Sequence, residues 1–102
     1  MREADLQAAI LHEFGSRPDI RLWRANVLVA RTKDGRVVKA GVKGQADLSG
    51  LWLPDGQRIE IEVKSPSGRQ SQEQKRWQAM ILRFGGIYVT ARSLEDVREV
   101  LG

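Results

Sequence analysis

The sequence predicts an α/β protein in which two β-hairpins are flanked by helices, and three observations lead to that prediction. Apolar residues recur at helical spacing near the N-terminus, apolar and charged residues alternate in the middle of the chain, and turn signals interrupt that alternation. With 102 residues, 41% of them hydrophobic, the chain has the size of one compact domain, which we assign to residues 1–102. We therefore expect a mixed sheet covered by helices.

The element order follows from local patterns along the chain. Each hairpin is centred on a turn signal, Asp34-Gly35 in the first and Pro54-Asp55-Gly56 in the second, and the two later helices begin at serine caps. The predicted elements are a helix at 3–14, strands at 21–33, 36–40, 46–53 and 58–64, a helix from Ser71, a strand at 87–90 and a helix from Ser93. We expect the two hairpins to form one mixed sheet.

Composition excludes several classes of site. The chain has no cysteine, which excludes disulfides, thiolate metal ligands and a cysteine nucleophile, and its single histidine disfavours a zinc site or a serine triad. Any metal must therefore be bound by oxygen atoms. No apolar segment approaches the roughly 20 residues of a membrane span, and the N-terminus lacks the pattern of a secretory signal. We expect a soluble, cytoplasmic protein.

Basic residues are concentrated in one third of the chain. Residues 21–43 contain seven Lys or Arg and one acidic residue, whereas residues 44–102 contain eight of each sign. A cluster of cations binds nucleic-acid phosphates without sequence specificity. The alternative is a charged surface that only keeps the protein soluble. On charge alone, the two interpretations have equal weight.

The predicted strand at 58–64 alternates between apolar and charged residues. One face carries three apolar side chains, and the other carries Glu60, Glu62 and Lys64. Taken alone, this pattern favours an amphipathic strand whose polar face meets water and forms cross-strand ion pairs. The functional alternative is that two carboxylates and an amine share one face as a site.

Asp47 favours the functional alternative. It opens a strand that is apolar over most of its length, where a carboxylate needs a partner or a cation. If the second hairpin pairs residues whose numbers total about 110, Asp47 lies near Val63 and Lys64 and close to Glu62. Two carboxylates with water are the usual ligands of Mg²⁺, and a neighbouring lysine can orient or deprotonate water or stabilise phosphoryl charge. This arrangement is typical of phosphodiester hydrolysis.

These residues belong to an ordered set of motifs. The set consists of Gly44-Gln45-Ala46-Asp47, Glu62-Val63-Lys64, Ser65-Pro66-Ser67-Gly68-Arg69, Ser71-Gln72-Glu73-Gln74 with Trp77, and Gly85-Gly86. In this order and spacing, the chain resembles the PD-(D/E)XK nucleases, and within them the small VRR-Nuc type, over almost its whole length. Gln45-Ala46 replaces the proline that often precedes the aspartate in that family. The resemblance implies a restriction-endonuclease-like α/β core.

The resemblance also implies the roles of individual residues. Asp47 and Glu62 would be metal ligands together with the main-chain carbonyl of Val63, and the metal would be Mg²⁺ or Mn²⁺. Lys64 would be catalytic. Arg24 and Asn26 resemble family positions near the DNA, although each also suits an ordinary strand surface. Lys43 of the basic segment and Arg69 of the Ser65–Arg69 motif are the other predicted DNA-binding residues.

Two further residues have a structural interpretation beside the functional one. The resemblance implies that Gln74 reaches the site from its helix, but its position also suits a capping box with Ser71, and both roles can hold together. The family often uses a glutamate from the first helix, which would be Glu3. An acid in a first helical turn also simply suits the helix dipole. The single histidine, His12, is expected on the helix surface, and Trp77 in the core.

The function that follows is metal-dependent hydrolysis of DNA, selective for branched substrates such as four-way junctions, in the cytoplasm of a bacterial or virus-infected cell. One site cannot cut two symmetry-related strands at once, so a homodimer is the simplest assembly. The first alternative is a nucleic-acid-binding module that has the nuclease fold without turnover. The second is a small structural or interaction protein that does not bind DNA.

Overall fold

The computed structural model of the chain describes residues 1–25 and 28–102. Within these residues there are three helices and six strands, one strand more than predicted, because the predicted strand at 21–33 is divided in two. They are α1 (Glu3–Gly15), β1 (Ile20–Arg24), β2 (Leu28–Arg31), β3 (Val37–Ala40), β4 (Leu48–Trp52), β5 (Gln57–Val63), α2 (Gln72–Arg83), β6 (Ile87–Ala91) and α3 (Leu94–Leu101). No helix in the described part of the chain is long and apolar enough to cross a membrane.

The main sheet of the described residues has four strands in the order β1-β4-β5-β6. The pairs β1–β4 and β4–β5 are antiparallel, and β5 pairs with β6 in parallel. Antiparallel neighbours need only a short turn, whereas the parallel pair needs a crossover, which α2 supplies. The sheet is therefore mixed, and the protein belongs to the α/β class as predicted.

The first predicted hairpin is only partly correct. The segment at 21–33 is not one strand, because β1 pairs with β4 while β2 pairs with β3 in a separate two-stranded sheet. Ile20 of β1 is buried in the core, whereas Val37 and Val38, which point to opposite faces of β3, are both exposed. Val37 and Val38 therefore provide no buried apolar face that would hold β3 against the main sheet.

The hydrophobic core lies between one face of the main sheet and helices α1 and α3. The apolar face of β5, which consists of Ile59, Ile61 and Val63, is buried there as the alternation predicts. The other buried apolar side chains of this core include Leu6, Ile10, Phe14, Ile20, Leu48, Val89, Ala91, Val97 and Leu101. His12 is exposed on α1, as expected.

Helix α2 covers the opposite, polar face of the sheet. Its first turn has the predicted capping box, in which Ser71 Oγ accepts from the Gln74 N–H and Gln74 Oε1 accepts from the Ser71 N–H. Trp77 is half-buried and its indole N–H donates to Glu60 Oε1 at 3.1 Å. The interpretation that the polar face of β5 meets water is therefore wrong, since Glu60 and Glu62 both lie under this helix.

Candidate active site

Asp47 lies where the hairpin register predicts. Leu48 pairs with Ile61, so the preceding residue, Asp47, lies across from Glu62 at the end of the paired region. Its carboxylate Oδ2 accepts a hydrogen bond of 2.8 Å from the main-chain N–H of Val63. Its carbonyl accepts from the Ala25 N–H at 2.9 Å, which ties the same residue to the end of β1.

Gly44, three residues before Asp47, lies where the chain contacts helix α2 too closely for a side chain. Its φ is +84°, a conformation that favours glycine, and a Cβ there would lie 2.4 Å from the main-chain oxygen of Glu73. The chain leading to Asp47 therefore passes against the first turn of α2 with no room for a side chain. Lys43 reinforces this contact, because its Nζ lies 3.3 Å from Glu73 Oε1.

Glu62 is almost completely buried, with 3% of its surface exposed. Its Oε1 accepts from Gln74 Nε2 at 2.6 Å and lies 3.6 Å from Lys64 Nζ. Its Oε2 is buried and has no hydrogen-bond partner among the described residues. A buried carboxylate oxygen without a partner costs free energy of folding, so the atom is suited to a ligand that the chain itself does not provide.

Burial and mutual repulsion set the charge state of this site. Burial raises the pKa of Glu62 to about 7, and the neighbouring Asp47 charge adds to the increase. Burial also raises the pKa of Asp47, and the Glu3 carboxylate acts in the same direction. Burial and the charges of Glu62 and Asp47 raise the pKa of Tyr88 to about 12. A bound cation would relieve this repulsion.

Lys64 follows β5 directly and lies on the same face as Glu62. Its main-chain N–H donates to the Ala91 carbonyl at 2.9 Å, which extends the β5–β6 pairing and fixes its position. Its side chain is 17% exposed, so the amine is at the boundary between the buried Glu62 carboxylate and solvent. A cation at this boundary can contact a charged group that approaches from outside.

Glu3 lies beside the site without joining the carboxylate pair. Its Oε1 accepts from the main-chain N–H of Ser65 at 2.9 Å, so helix α1 is tied to the loop that follows Lys64. Its charge raises the pKa of Asp47, as noted above. The capping and site roles of Gln74 hold together, because its Oε1 completes the cap while its Nε2 contacts Glu62.

The donor atoms in this site fit a hard divalent cation. Asp47 and Glu62 provide carboxylate oxygens, and one of these, Glu62 Oε2, is buried without a partner in the described structure. In residues 1–25 and 28–102, no three His, Cys, Asp or Glu side chains form a metal-binding group. Mg²⁺ commonly binds one or two carboxylates and completes its shell with water and substrate phosphate, which matches a two-carboxylate site.

The predicted nucleic-acid-binding residues are not all in one place. Arg24 is exposed at the end of β1, Lys43 is exposed but paired with Glu73, and Arg69 is exposed in the loop before α2. Arg69 also lines a polar pocket near the end of β6. Asn26 lies outside the described residues.

Sequence analysis missed three features beside the carboxylates. Glu60 was grouped with Glu62, although it is a fully buried residue with its own set of donors, and alternation alone could not separate the two. Tyr88 pairs with Glu60 across the parallel strands β5 and β6, and Thr90 pairs with Glu62. The register of a parallel pair joined by a helix has no local sequence signal.

The fold and the site together define an α/β protein with a buried carboxylate, a half-buried carboxylate and a lysine at one end of a mixed sheet. Neither a comparison with models of known protein families nor a search of curated proteins finds a match to this chain. The geometry of the site and the motifs in the sequence are therefore the basis for a proposed function.

Proposed function

We propose that this chain is a metal-dependent endonuclease of the VRR-Nuc type, within the PD-(D/E)XK superfamily, that hydrolyses DNA phosphodiester bonds. The observation that carries the proposal is the pair formed by buried Glu62 and half-buried Asp47 beside Lys64, with one Glu62 oxygen lacking a partner in the described structure. This cluster costs stability in the free protein, and such a cost is typical of sites retained for function.

The roles of the residues follow from their contacts. Asp47 and Glu62, with the Val63 carbonyl, would hold Mg²⁺ or Mn²⁺, and the Val63 N–H bond to Asp47 orients that carboxylate toward the end of β5. The chemistry that such a cation supplies is polarisation of the phosphate and activation of water. Gln74 Nε2 donates to Glu62 Oε1 and so fixes the orientation of the Glu62 carboxylate, while Glu62 Oε2 stays available for the cation.

Lys64 is the group suited to act on the substrate. Its amine lies 3.6 Å from Glu62 Oε1 at the margin of the buried site, within reach of a phosphate that approaches from solvent. There it would stabilise the negative charge that develops on the phosphoryl oxygens or position the attacking water. Arg24 and other exposed cations of residues 21–43 would contact the DNA backbone away from the site.

Substrate and assembly are part of the same proposal. Branched DNA, such as a four-way junction, is the proposed substrate, and a twofold homodimer would present two sites to two strands. Sedimentation of the purified protein measures whether it is a dimer. The preferred DNA structure is measured directly by comparing cleavage of different substrates.

The decisive experiment incubates the purified protein with linear, flapped and four-way DNA, with and without Mn²⁺. We expect cleavage that requires the metal and is lost in Lys64→Ala, while the matched control Arg83→Ala, which removes an exposed cation at the far end of α2, cuts normally. Metal-independent cutting, or a wild-type rate in Lys64→Ala, would contradict the proposal. Tight binding without cleavage of any substrate would instead favour the binding-module alternative.

A further inference from the structure

A polar cavity lies beside the pair of Asp47 and Glu62. It has a volume of about 320 Å³ and is lined by Arg69, Gln70, Lys75, Thr90 and Arg92, which we call the basic pocket. Three of these five side chains are cationic, and no acidic residue of the described chain lines it. The pocket therefore concentrates positive charge and neutral hydrogen-bonding groups around one space.

The charge of the basic pocket is not neutralised from within the described chain. None of its three cations forms an ion pair with a carboxylate among residues 1–25 and 28–102. Two neighbouring acids have other partners, since Glu73 pairs with Lys43 and Asp96 accepts from the main-chain N–H groups of Arg92 and Ser93. Glu62, whose Oε2 has no partner among the described residues, does not line the pocket. Three unpaired cations in one concave site favour an anion of more than one charge.

The basic pocket adjoins the proposed catalytic site on the same side of the sheet. Thr90 is the register partner of Glu62 across the parallel pair, so the two residues are about 4.8 Å apart in the direction of the interstrand hydrogen bonds. A second connection runs through the loop after β5. Arg92 Nη2 donates to the Gly68 carbonyl at 2.8 Å, and a Cβ on Gly68 would lie 3.4 Å from Lys64 Cδ.

These contacts leave the Arg92 guanidinium anchored but still charged. A carbonyl fixes its orientation without cancelling its charge, and its remaining N–H groups match the oxygens of a phosphate. Lys75 adds a point charge, and Thr90 adds a neutral hydroxyl donor. Gln70 lines the pocket, but its amide Nε2 already donates to Gln78 and Tyr88. Successive phosphates of one nucleic-acid strand are one nucleotide apart, and the pocket and Lys64 are joined by the short Gly68 loop, so one phosphate can occupy this pocket while the next reaches Lys64.

We propose that the basic pocket binds a phosphate group of the substrate strand next to the phosphate that is hydrolysed. This inference rests on the proposed nuclease function for its substrate, but the pocket itself can be tested without catalysis. The phosphate could be a terminal phosphomonoester or an internal phosphodiester. A terminal group carries the larger charge, close to −2 at neutral pH, and would benefit most from three cations.

The test measures binding in EDTA, where no cleavage occurs. Inorganic phosphate is titrated into the protein at constant ionic strength, with chloride as the reference, and binding is followed by the NMR shifts of the Thr90 and Arg92 amides. We expect saturable shifts at these amides and binding at least about tenfold weaker in Arg92→Gln and in Lys75→Gln. Arg83→Gln is the control and should bind like wild type. Lys75 is exposed on α2, so its variant tests the pocket even if the Arg92 variant does not fold.

Single-stranded oligonucleotides with a 5′-phosphate or a 5′-hydroxyl then distinguish the two sources. Tighter binding of the phosphorylated strand, lost in Lys75→Gln, supports a terminal group, whereas equal binding that is weakened in Lys75→Gln supports an internal one. No saturable phosphate shift, or the same affinity in all variants, overturns the inference. Phosphate binding without any DNA cleavage would support the phosphate-binding role of the basic pocket and contradict the proposed nuclease function. Cleavage without phosphate binding would support the nuclease function and contradict the role of the pocket.

Discussion

Glu60 and Glu62 are two residues apart on β5, point to the same face and are both buried, yet their surroundings differ. Glu60 is fully buried, and both of its carboxylate oxygens have donors. Ser49 Oγ donates to Oε2, the Trp77 indole N–H donates to Oε1 at 3.1 Å, and Arg58 Nη2 lies 3.5 Å from Oε1. This carboxylate connects β4, β5 and α2, and its charge is balanced.

Glu62 has donors on one oxygen alone among the described residues. Gln74 and Lys64 both lie at its Oε1, Oε2 has no partner, and Asp47 lies on the neighbouring strand as a second negative charge. Burial, followed by this repulsion, raises its pKa to about 7. Burial of an acidic side chain therefore does not by itself indicate a functional site. What separates a structural acid from a functional one is whether the chain supplies all of its partners.

The largest expected difference between the two residues is in catalysis. Glu62→Gln keeps the shape but removes the charge of the proposed metal ligand, so we expect DNA cleavage to fall by about 10³. Glu60→Gln removes a charge that makes no contact with substrate in the proposal, and we expect it to lose less than about tenfold in rate. Single-turnover cleavage of the preferred substrate measures both. Equal losses in the two variants would remove the functional distinction between these glutamates.

The second expected difference is in stability, where the substitution of Glu60 should have the larger effect and that of Glu62 the smaller. Glu60→Ala leaves the Trp77 N–H, the Ser49 hydroxyl and the Arg58 guanidinium without their acceptor, so we expect a loss of about 3 kcal/mol in the free energy of unfolding. Glu62→Gln in EDTA should be as stable as wild type or more stable, because it removes a repelled charge. Urea unfolding at pH 7 measures both, and a large loss in Glu62→Gln would indicate a structural Glu62–Lys64 ion pair.

Metal addition should stabilise the protein through the site that contains Asp47 and Glu62, and not through Glu60. Mn²⁺ that binds only the folded state raises stability by about 2.7 kcal/mol at one hundred times its dissociation constant. We expect a higher melting temperature for wild type and Glu60→Gln in Mn²⁺ than in EDTA, and almost no change for Asp47→Asn. A similar increase in all three proteins would place the bound metal elsewhere.

The smallest predicted effect is a difference in pH dependence. The pKa of Glu62 is raised from 4.5 to about 7, so the folded protein retains a proton there that the unfolded chain releases. Stability from this proton is complete below pH 4.5 and is lost as the pH rises through 7. In EDTA, the stability of Glu62→Gln relative to wild type should therefore increase between pH 5 and pH 8.

Asp19 supplies a control for that profile. Hydrogen bonds from Arg17 and Trp52 lower its pKa from 3.8 to about 2, so its contribution is present above pH 3.8 and is lost as the pH falls through 2. Asp19→Asn should therefore shift the whole curve between pH 5 and pH 8 without changing its slope. A Glu62→Gln profile parallel to wild type over this range would contradict the crowded-carboxylate interpretation.

Local patterns predicted most of the fold and the centre of the site. The Ser71–Gln74 capping box, the strand β5 with its buried apolar face and the turn near residue 55 all depend on neighbours in sequence, and all are confirmed. The hairpin register alone brought Asp47 to Glu62, because antiparallel pairing through a short turn leaves little freedom.

The features of the fold and the site that the sequence did not predict depend on contacts between segments that are distant in sequence. The polar face of β5 is buried because α2 covers it, and whether a helix packs on a charged face is decided by partners such as Trp77, not by the strand pattern. The division of residues 21–33 between two sheets likewise depends on which segment buries Ile20. The basic pocket was missed because it combines a loop, a helix and a parallel strand, whose relative positions no short motif specifies.

The antiparallel pairing of β4 with β5 also bears on the order of folding. Asp47 and Glu62 are 15 positions apart in a hairpin, whereas Gln74 and Thr90 arrive only after the helical crossover is complete. Hairpins form in about 1–10 μs, and non-local parallel pairs form more slowly. We therefore expect the two carboxylates to meet before α2 covers them, so that their repulsion slows the rate-limiting step. Stopped-flow refolding in EDTA should then be faster in Asp47→Asn than in wild type.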